Sequence, residues 1–394
     1  VSLLIEDEAH RCTKNYDYTY VAKTYLEQSR NPRILGMTAS PGSEESRIKE
    51  ICKNLSIEEV EIRTRNSADV SSYLQELEFE KVMIPFPEEL QEIKHVLKKL
   101  IDRYVEELHN RKVLFGPPTK TELINLQKKI SFSLSKVGGN FNYMLAASAC
   151  AQAIKLQHAL ELLETQTLSS FNKYLNELLK QASKKQSKGV VRLVEKPEFN
   201  FMYEKSNELL AKNFEHPKAK IVKDIVERER SENEKVKIIV FTQFRDTASI
   251  ISKELNKIEG IRSKVFVGQT KKGVGVGSTG FSQKEQKRVI NEFSIGEINV
   301  LCATSIGEEG LDIPEVNAVI FYEPIPSAIR AIQRAGRTAR LMKGKLIILI
   351  TKGTRDEYFY YASRAREKKM HRAIDTIKES FFKKAGSMEE QKTL

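Results

Sequence analysis

The sequence predicts an α/β protein of two doubly wound parallel-sheet units, the first of them truncated, with an all-helical insert between. Three observations carry this. Short apolar runs alternate with helical stretches over residues 1–84 and again over 216–375. Residues 85–215 instead show apolar side chains at steps of three and four and no strand-like run. Acidic, hydroxyl and glycine residues stand just after several apolar runs, where ligands of parallel sheets bind. Residues 376–394 read as a basic helical tail.

The first unit opens on "VSLLIEDEAHR", in which the apolar run Leu3–Ile5 meets Glu6, Asp7 and Glu8. A helix is expected over "YTYVAKTYLEQS" and a second strand over "RILGMTAS", ending in a turn at Pro41 and Gly42. "EESRIKEICKNL" reads as a helix, and "EVEIRT" and "EKVMIPF" as further strands of the same unit. The chain begins inside a strand with no lead-in, so it is expected to be a fragment.

The insert opens with an amphipathic helix from Pro87, marked by Leu90, Ile93, Leu97, Leu100 and Tyr104. Helices follow over Thr121–Ser135, over "NYMLAASACAQAIKLQHALELLETQ" and over "LSSFNKYLNELLKQAS", with a polar loop near residues 184–189. Strands return at "KIIVFT", "RSKVFV", "NVLCAT", "AVIFY" and "KLIILI", separated by helices, and a helical Lys- and Arg-rich stretch follows Asp356.

The 394 residues allow two or three domains, and the net charge of +12 favours a polyanionic partner. Cys12, Cys52, Cys150 and Cys302 form no CxxC pair, which argues against zinc and a disulfide framework and fits a reducing cytosol. No run reaches membrane-spanning length, and no signal peptide is seen.

Two adjacent carboxylates at a strand end can divide the work of ATP hydrolysis. Asp7 is placed to hold Mg²⁺ between phosphates, and Glu8 to face the attacking water. Thr38 and Ser40 of "TAS" end the second strand, and their hydroxyls could couple to that acidic pair. "QRAGRTAR" carries Gln333, Arg334, Arg337 and Arg340; Arg337 and Arg340, three apart, share one helix face and suit the charge developing on a γ-phosphate. In "TSIGEEGLDIP", Gly307 and Gly310 permit close backbone approach. Asp312 there is placed to meet a ribose hydroxyl or an arginine, and Thr304 and Ser305 a nucleic-acid phosphate. "FTQF" and "FVGQ" also end strands.

Two glycine-rich runs imitate nucleotide loops. "GVGVGSTG" (273–280) lacks the acidic partner of a dinucleotide fold and reads as a flexible loop. In "VLFGPPTKTE" only Pro117, Pro118 and Thr119 separate Gly116 from Lys120, too few for a phosphate loop, and no GxxxxGK[ST] run occurs anywhere. His95, His109 and His158 lack ligand spacing and read as structural.

The ordered set "DEAH", "TAS", "FTQF", "TSIGEEGLDIP" and "QRAGRTAR" resembles the superfamily 2 helicases over nearly the whole chain. "KLQHALELLETQ", "ATSIGEEGLDIPEV", "FYEPIPSAIRAIQR" and "KGTRDEYFYY" narrow the resemblance to the archaeal Hef helicase and its Fanconi anaemia complementation group M type relatives. The resemblance implies two RecA-like domains, ATP and Mg²⁺ as cofactors, and forked or branched DNA as partner. It implies that Asp7 and Glu8 serve the metal and the water, with Arg337 and Arg340 as fingers. It places His10, Gly310, Asp312 and Gln333 about the nucleotide. Thr242, Gly268, Gln269, Thr304 and Ser305 would track the DNA backbone. It also implies a DNA-repair role in a prokaryotic, archaeal cytoplasm, near the nucleoid.

The chain departs from the family where Ala335 and Ala339 replace Arg and Gly, and no ERKxxxD nuclease signature is present, so a nuclease would have to be a separate domain or partner. The phosphate loop is expected upstream of Val1, so this chain alone should turn over little ATP, and the intact protein should show DNA-stimulated ATPase. Two other readings stay open: an RNA-duplex-sensing superfamily 2 translocase, and a non-catalytic nucleic-acid-binding module.

Overall fold

The computed structural model describes residues 1–39, 41–42, 44–63, 67–71, 75–136, 141–268, 281–304, 313–327, 338 and 343–392. Two parallel sheets and a helical bundle organise them. β1 (Leu4–Asp7) and β2 (Ile34–Met37) pair in register from Leu4 with Ile34 to Asp7 with Met37. Helices α1 (Asp17–Gln28) and α2 (Glu45–Asn54) cover one side, and Ala9, Cys12, Ala22, Ile51 and Leu55 form a small core. Gly36 permits this packing: a Cβ there would stand 3.0 Å from Leu55 Cδ1 and 3.2 Å from Ala9 Cβ.

A short helix α3 (Ala68–Ser71) precedes β3 (Leu77–Ile84). The insert then runs through α4 (Gln91–Asn110), α5 (Lys120–Lys136), α6 (Phe141–Thr165), α7 (Leu168–Ser183), α8 (Lys188–Val194) and α9 (Pro197–Ala211). Its single core is built from leucines and isoleucines at the spacings read above, with Phe171 and Phe199 fully buried among them. Thr167 caps α7 by accepting from the Ser170 N–H, and Pro197 starts α9 in the first turn, where its missing N–H costs nothing.

The second sheet is six-stranded and wholly parallel. Its helices are α10 (Pro217–Glu232), α11 (Arg245–Leu255) and α12 (Gln283–Ser294); α12 is held by a Ser282–Glu285 capping box. Its further strands are β4 (Ile238–Phe241), β5 (Ser263–Phe266), β6 (Val300–Ala303), β7 (Ala318–Phe321) and β8 (Gly344–Thr351), in the order β3-β8-β7-β4-β6-β5. Alternate residues serve opposite faces. Ile238 and Val240 join the α10 and α11 side chains, whereas Ile239 and Phe241 join Val289 and Phe293 of α12.

Three expectations change. β3 was expected with β1 and β2, but it pairs with β8 from Leu77–Gly344 to Ile84–Thr351 and forms the edge of the second sheet. Ile84 is buried there beside Val222 and Ile225, and β3 satisfies a row of β8 backbone groups that would otherwise form an open edge. The strand expected at 59–64 does not form in its described part, 59–63. Val60 and Ile62 instead pack as coil against Ile48, Cys52, Met370 and Ile374, so their alternation serves a contact and not a ladder. Finally, α13 (Arg355–Lys392) is one helix running through the expected boundary at 376, and its Met370–Ile377 stretch packs on α2.

Bundle and second sheet are locked together by buried charge. Lys218 and Asp356, both fully buried, form an ion pair, and Lys218 Nζ also donates to the Thr165 carbonyl at 3.1 Å. Lys94 bridges Glu164 at 2.9 Å and the Gly353 carbonyl at 3.2 Å. Each cation meets a counter-charge and a carbonyl, the condition under which buried charges are tolerated.

Candidate nucleotide and nucleic-acid site

Parallel pairing sets the carboxyl ends of β1 and β2 side by side, so "DEAH" and "TAS" meet. Asp7 ends β1 with its carboxylate exposed, and Oδ1 accepts the Glu8 N–H at 2.9 Å. Glu8 adopts left-handed backbone angles, φ 55° and ψ 41°, which turn the chain sharply into the helical turn at Ala9–Arg11. That conformation costs a non-glycine residue on the order of 1 kcal/mol and is a frequent mark of functional sites. His10 is thereby buried, with Nδ1 3.1 Å from Thr38 Oγ1 and 3.2 Å from Glu8 Oε2. The Glu8 carboxylate and the Thr38 hydroxyl thus converge on one ring nitrogen between β1 and β2, the hydroxyl at hydrogen-bonding distance and Glu8 Oε2 close by without a hydrogen bond of its own among the described residues.

Mg²⁺ takes one or two carboxylates and completes its shell with phosphate oxygens and water. The exposed Asp7 carboxylate, with one oxygen engaged by the Glu8 N–H, fits that role. Glu6, one residue earlier, was given no separate role in the sequence reading. It points inward at 4% exposure, with no hydrogen-bonding partner for either oxygen among the described residues, and burial raises its pKa.

The second sheet gathers a further set at its own carboxyl edge. Thr242 follows β4, Gly268 follows β5 and Thr304 follows β6, three neighbouring strands. The Thr242 N–H donates to the Ala303 carbonyl and the Thr304 N–H to the Phe266 carbonyl, at 3.0 and 3.1 Å. The Gly268 carbonyl accepts from Arg245 Nη2 at 3.2 Å. Glu323, just beyond β7, accepts from the Gln243 N–H and is almost wholly buried. The sequence reading assigned Glu323 no role, although a carboxylate straight after an apolar strand is the signal that drew attention to Asp7.

Thr242, expected on a nucleic-acid track, is fully buried, as Thr304 nearly is, and the Thr242 hydroxyl donates to Gln166 Oε1 at 3.3 Å and accepts from the Phe244 N–H at 3.4 Å. The end of β4 is therefore joined to the end of α6, and in this arrangement the hydroxyl faces no groove. Within "QRAGRTAR", Thr338 is buried and donates to the Val316 carbonyl at 2.6 Å. Ser40, Gln269, Ser305, Gly310, Asp312, Gln333, Arg337 and Arg340 lie outside the described residues.

The two lookalikes resolve differently. Lys120 of "VLFGPPTKTE" forms an ion pair with Glu161 at 2.5 Å inside the bundle, which occupies the ammonium a phosphate loop would need. Residues 273–280 lie outside the described residues. Of the histidines read as structural, His109 Nδ1 contacts the Leu114 carbonyl at 2.8 Å, and His158 packs on Tyr174 and Phe244. His216 went unremarked in the sequence. Its Nδ1 accepts from the Lys218 N–H to cap α10, and complete burial beside Lys218 pushes its pKa down to about 3.

This architecture has a close counterpart. The crystal structure of the Pyrococcus furiosus Hef helicase domain superposes with a TM-score of 0.69 at 40% identity, covering 92% of this chain and 74% of that one. The chain belongs to the Hef and Fanconi M-like family of superfamily 2 helicases. Its second sheet is accordingly a RecA-like domain: residues 217–342 match the helicase conserved C-terminal domain. Residues 89–209 match the helical bundle of candidate ATP-dependent RNA helicases. A Methanocaldococcus jannaschii protein named as a candidate ATP-dependent RNA helicase is 40% identical over 95% of this chain and 46% of its own length. The ATP-dependent DNA helicase mph1 of Sclerotinia sclerotiorum is 32% identical over 95% of the chain and 32% of its own length. The Fanconi anemia group M protein homolog of Mus musculus is 28% identical over 95% and 20%. The chain thus spans less than half the length of each of these curated relatives.

Proposed function

We propose that the full-length protein is an ATP-driven DNA translocase or helicase that remodels forked and branched DNA. The observation that carries this reading is the convergence of Glu8 and Thr38 on His10 Nδ1 at the carboxyl ends of β1 and β2, beside an exposed Asp7. Asp7 would hold Mg²⁺, which supplies charge neutralisation between the β- and γ-phosphates. Glu8 would orient the attacking water and take its proton at Oε1 or Oε2. His10 and Thr38 would hold the Glu8 carboxylate in place and report its state to β2 and the loop beyond, with Ser40 in the same role. Arg337 and Arg340 would meet the γ-phosphate, and Gly310, Asp312 and Gln333 would complete the nucleotide contacts. Gly268, Gln269, Thr304 and Ser305 would follow the nucleic-acid backbone.

No GxxxxGK[ST] run occurs in these 394 residues, so no backbone cradle or lysine for the β- and γ-phosphates is supplied. The chain by itself should therefore release negligible phosphate. The full-length protein should show ATPase stimulated by forked DNA, abolished in Glu8→Gln and Arg337→Ala with DNA binding retained. Robust turnover by the 394-residue chain, or full-length turnover indifferent to either substitution, rejects the reading. The cell compartment that fits is a prokaryotic cytoplasm with access to the nucleoid.

A second reading has support of its own, because the bundle match and the M. jannaschii relative carry RNA in their names. The mph1 and Fanconi M relatives leave DNA the favoured substrate, while the +12 charge suits either phosphate backbone. Competition between fork DNA and duplex RNA for the full-length protein separates the two.

A further inference from the structure

The far end of the helical bundle presents large apolar side chains to solvent, one on the α4–α5 connection and two at the start of α6. Phe115 is 85% exposed, Phe141 70% and Met144 54%. Phe115, Tyr143, Lys112 and Lys129 line one groove of about 160 Å³ between the α4–α5 connection, α5 and the start of α6. The Asn142 amide donates to the Arg111 carbonyl and its oxygen accepts from Arg111 Nη1, both at 3.2 Å, which fixes the start of α6, and so Phe141, against that connection.

Charge at this end is one-sided. Residues 111–145 carry six Lys and Arg against the single Glu122. Arg111 pairs with Glu107 and Lys120 with Glu161, whereas Lys112, Lys128 and Lys129 form no ion pair among the described residues. Exposed rings interleaved with unneutralised ammonium groups are the chemistry of single-strand binding. Bases stack on the rings whatever their identity, and lysines follow the phosphates. A groove for a protein helix would gain nothing from three uncompensated cations, and a duplex, its bases already stacked, would leave the rings exposed.

Geometry places this tip away from the catalytic end. α6 begins at Phe141 and ends at Thr165, whose carbonyl is held by Lys218, and the next residue, Gln166, meets Thr242. At about 1.5 Å per residue, the tip stands roughly 36 Å from the strand-end edge of the second sheet.

We propose that the α4–α5 connection and the start of α6 form a stacking platform for unpaired nucleobases, which holds a single-stranded arm of the nucleic acid beyond the motor. The proposal rests on the nucleic-acid reading above only for its class of partner. It is tested on the 394-residue chain by fluorescence anisotropy with four probes at one salt concentration. These are a labelled dT20 strand, an abasic strand of equal length, a blunt 20-base-pair duplex, and anionic phosphatidylserine vesicles.

The wild type should bind dT20 at least fivefold more tightly than the abasic strand, since each stacked base contributes. Phe115→Ala/Phe141→Ala should bring dT20 down to the abasic level and leave duplex affinity unchanged. Lys112→Gln/Lys129→Gln should weaken all three nucleic acids and flatten their salt dependence. Both phenylalanines are exposed, so unchanged thermal melting accompanies these results. Equal wild-type affinity for dT20 and the abasic strand overturns the platform. So does loss of duplex and dT20 binding in parallel, vesicle binding as tight as dT20, or a wild-type dimer that the double alanine variant dissolves. Retained duplex binding without a stacking preference rejects the platform alone and leaves the helicase reading standing.

Discussion

The Thr242 hydroxyl and the Gln166 side chain, both fully buried, share a hydrogen bond at 3.3 Å across the joint between the second sheet and the helical bundle. Gln166 also donates to Thr165 Oγ1 at 2.9 Å, and the Thr165 carbonyl accepts from Lys218. The strand end expected to contact nucleic acid is therefore wired to the last turn of α6, whose other end carries the exposed aromatic tip.

Thr242→Val keeps the shape of the side chain and removes its hydroxyl. Gln166 Oε1 is then buried without its donor, at a cost of about 1–3 kcal/mol. Chemical denaturation of the chain should show this loss, and Thr242→Ser should restore most of it. A valine variant as stable as wild type would mean that the joint is held by packing alone.

The Lys218–Asp356 pair predicts strong non-additivity. Lys218→Met leaves a fully buried carboxylate, and breaking such a pair costs about 3–5 kcal/mol. Burial already raises the Asp356 pKa against the opposing pull of Lys218, so removing that cation favours the protonated acid. Lys218→Met/Asp356→Asn should recover most of the loss in a double-mutant cycle. Additive single-variant losses would contradict this.

His216 sets part of the acid limb of stability. Its pKa is about 3 in the folded protein and about 6.5 in the unfolded chain. The unfolded state therefore binds the extra proton first. This contribution is intact above pH 6.5 and is lost as pH falls toward 3, at up to about 1.4 kcal/mol per pH unit. His216→Asn keeps a capping acceptor for the Lys218 N–H and removes the titration. Denaturation midpoints measured from pH 7 to pH 4 should fall less steeply for the asparagine variant; parallel curves would refute the assignment.

Thr38→Val tests the link from His10 to β2 in the full-length protein. Loss of the 3.1 Å contact to His10 should lower DNA-stimulated turnover roughly tenfold, about one hydrogen bond to the residue that positions Glu8, with ATP and DNA affinity little changed. Unaltered turnover would leave Thr38 as a local cap.

Much of the fold was legible along the chain because its signals are local. The apolar runs at Ile238–Phe241 and Val300–Ala303 are buried on both faces, so they read as parallel strands without reference to any neighbour. The α4 periodicity and the Asp7–Glu8 step at a strand end are local as well. Misreadings came where a partner decides the outcome. Val60 and Ile62 alternate like a strand but find a helix surface in place of an unpaired edge, and Val82 and Ile84 mark a strand without naming its sheet.

By itself the sequence determined where most strands and helices lie, which side chains end the strands, and the helicase motifs in their order, since each depends on neighbours a few residues away. Only the tertiary structure decided that β3 crosses to the second sheet, that Thr242 turns inward to Gln166, and that His10 joins Glu8 to Thr38. Those outcomes depend on which distant backbone edges pair and which polar groups are shut away from water, and the energy of both is settled between segments far apart in the chain.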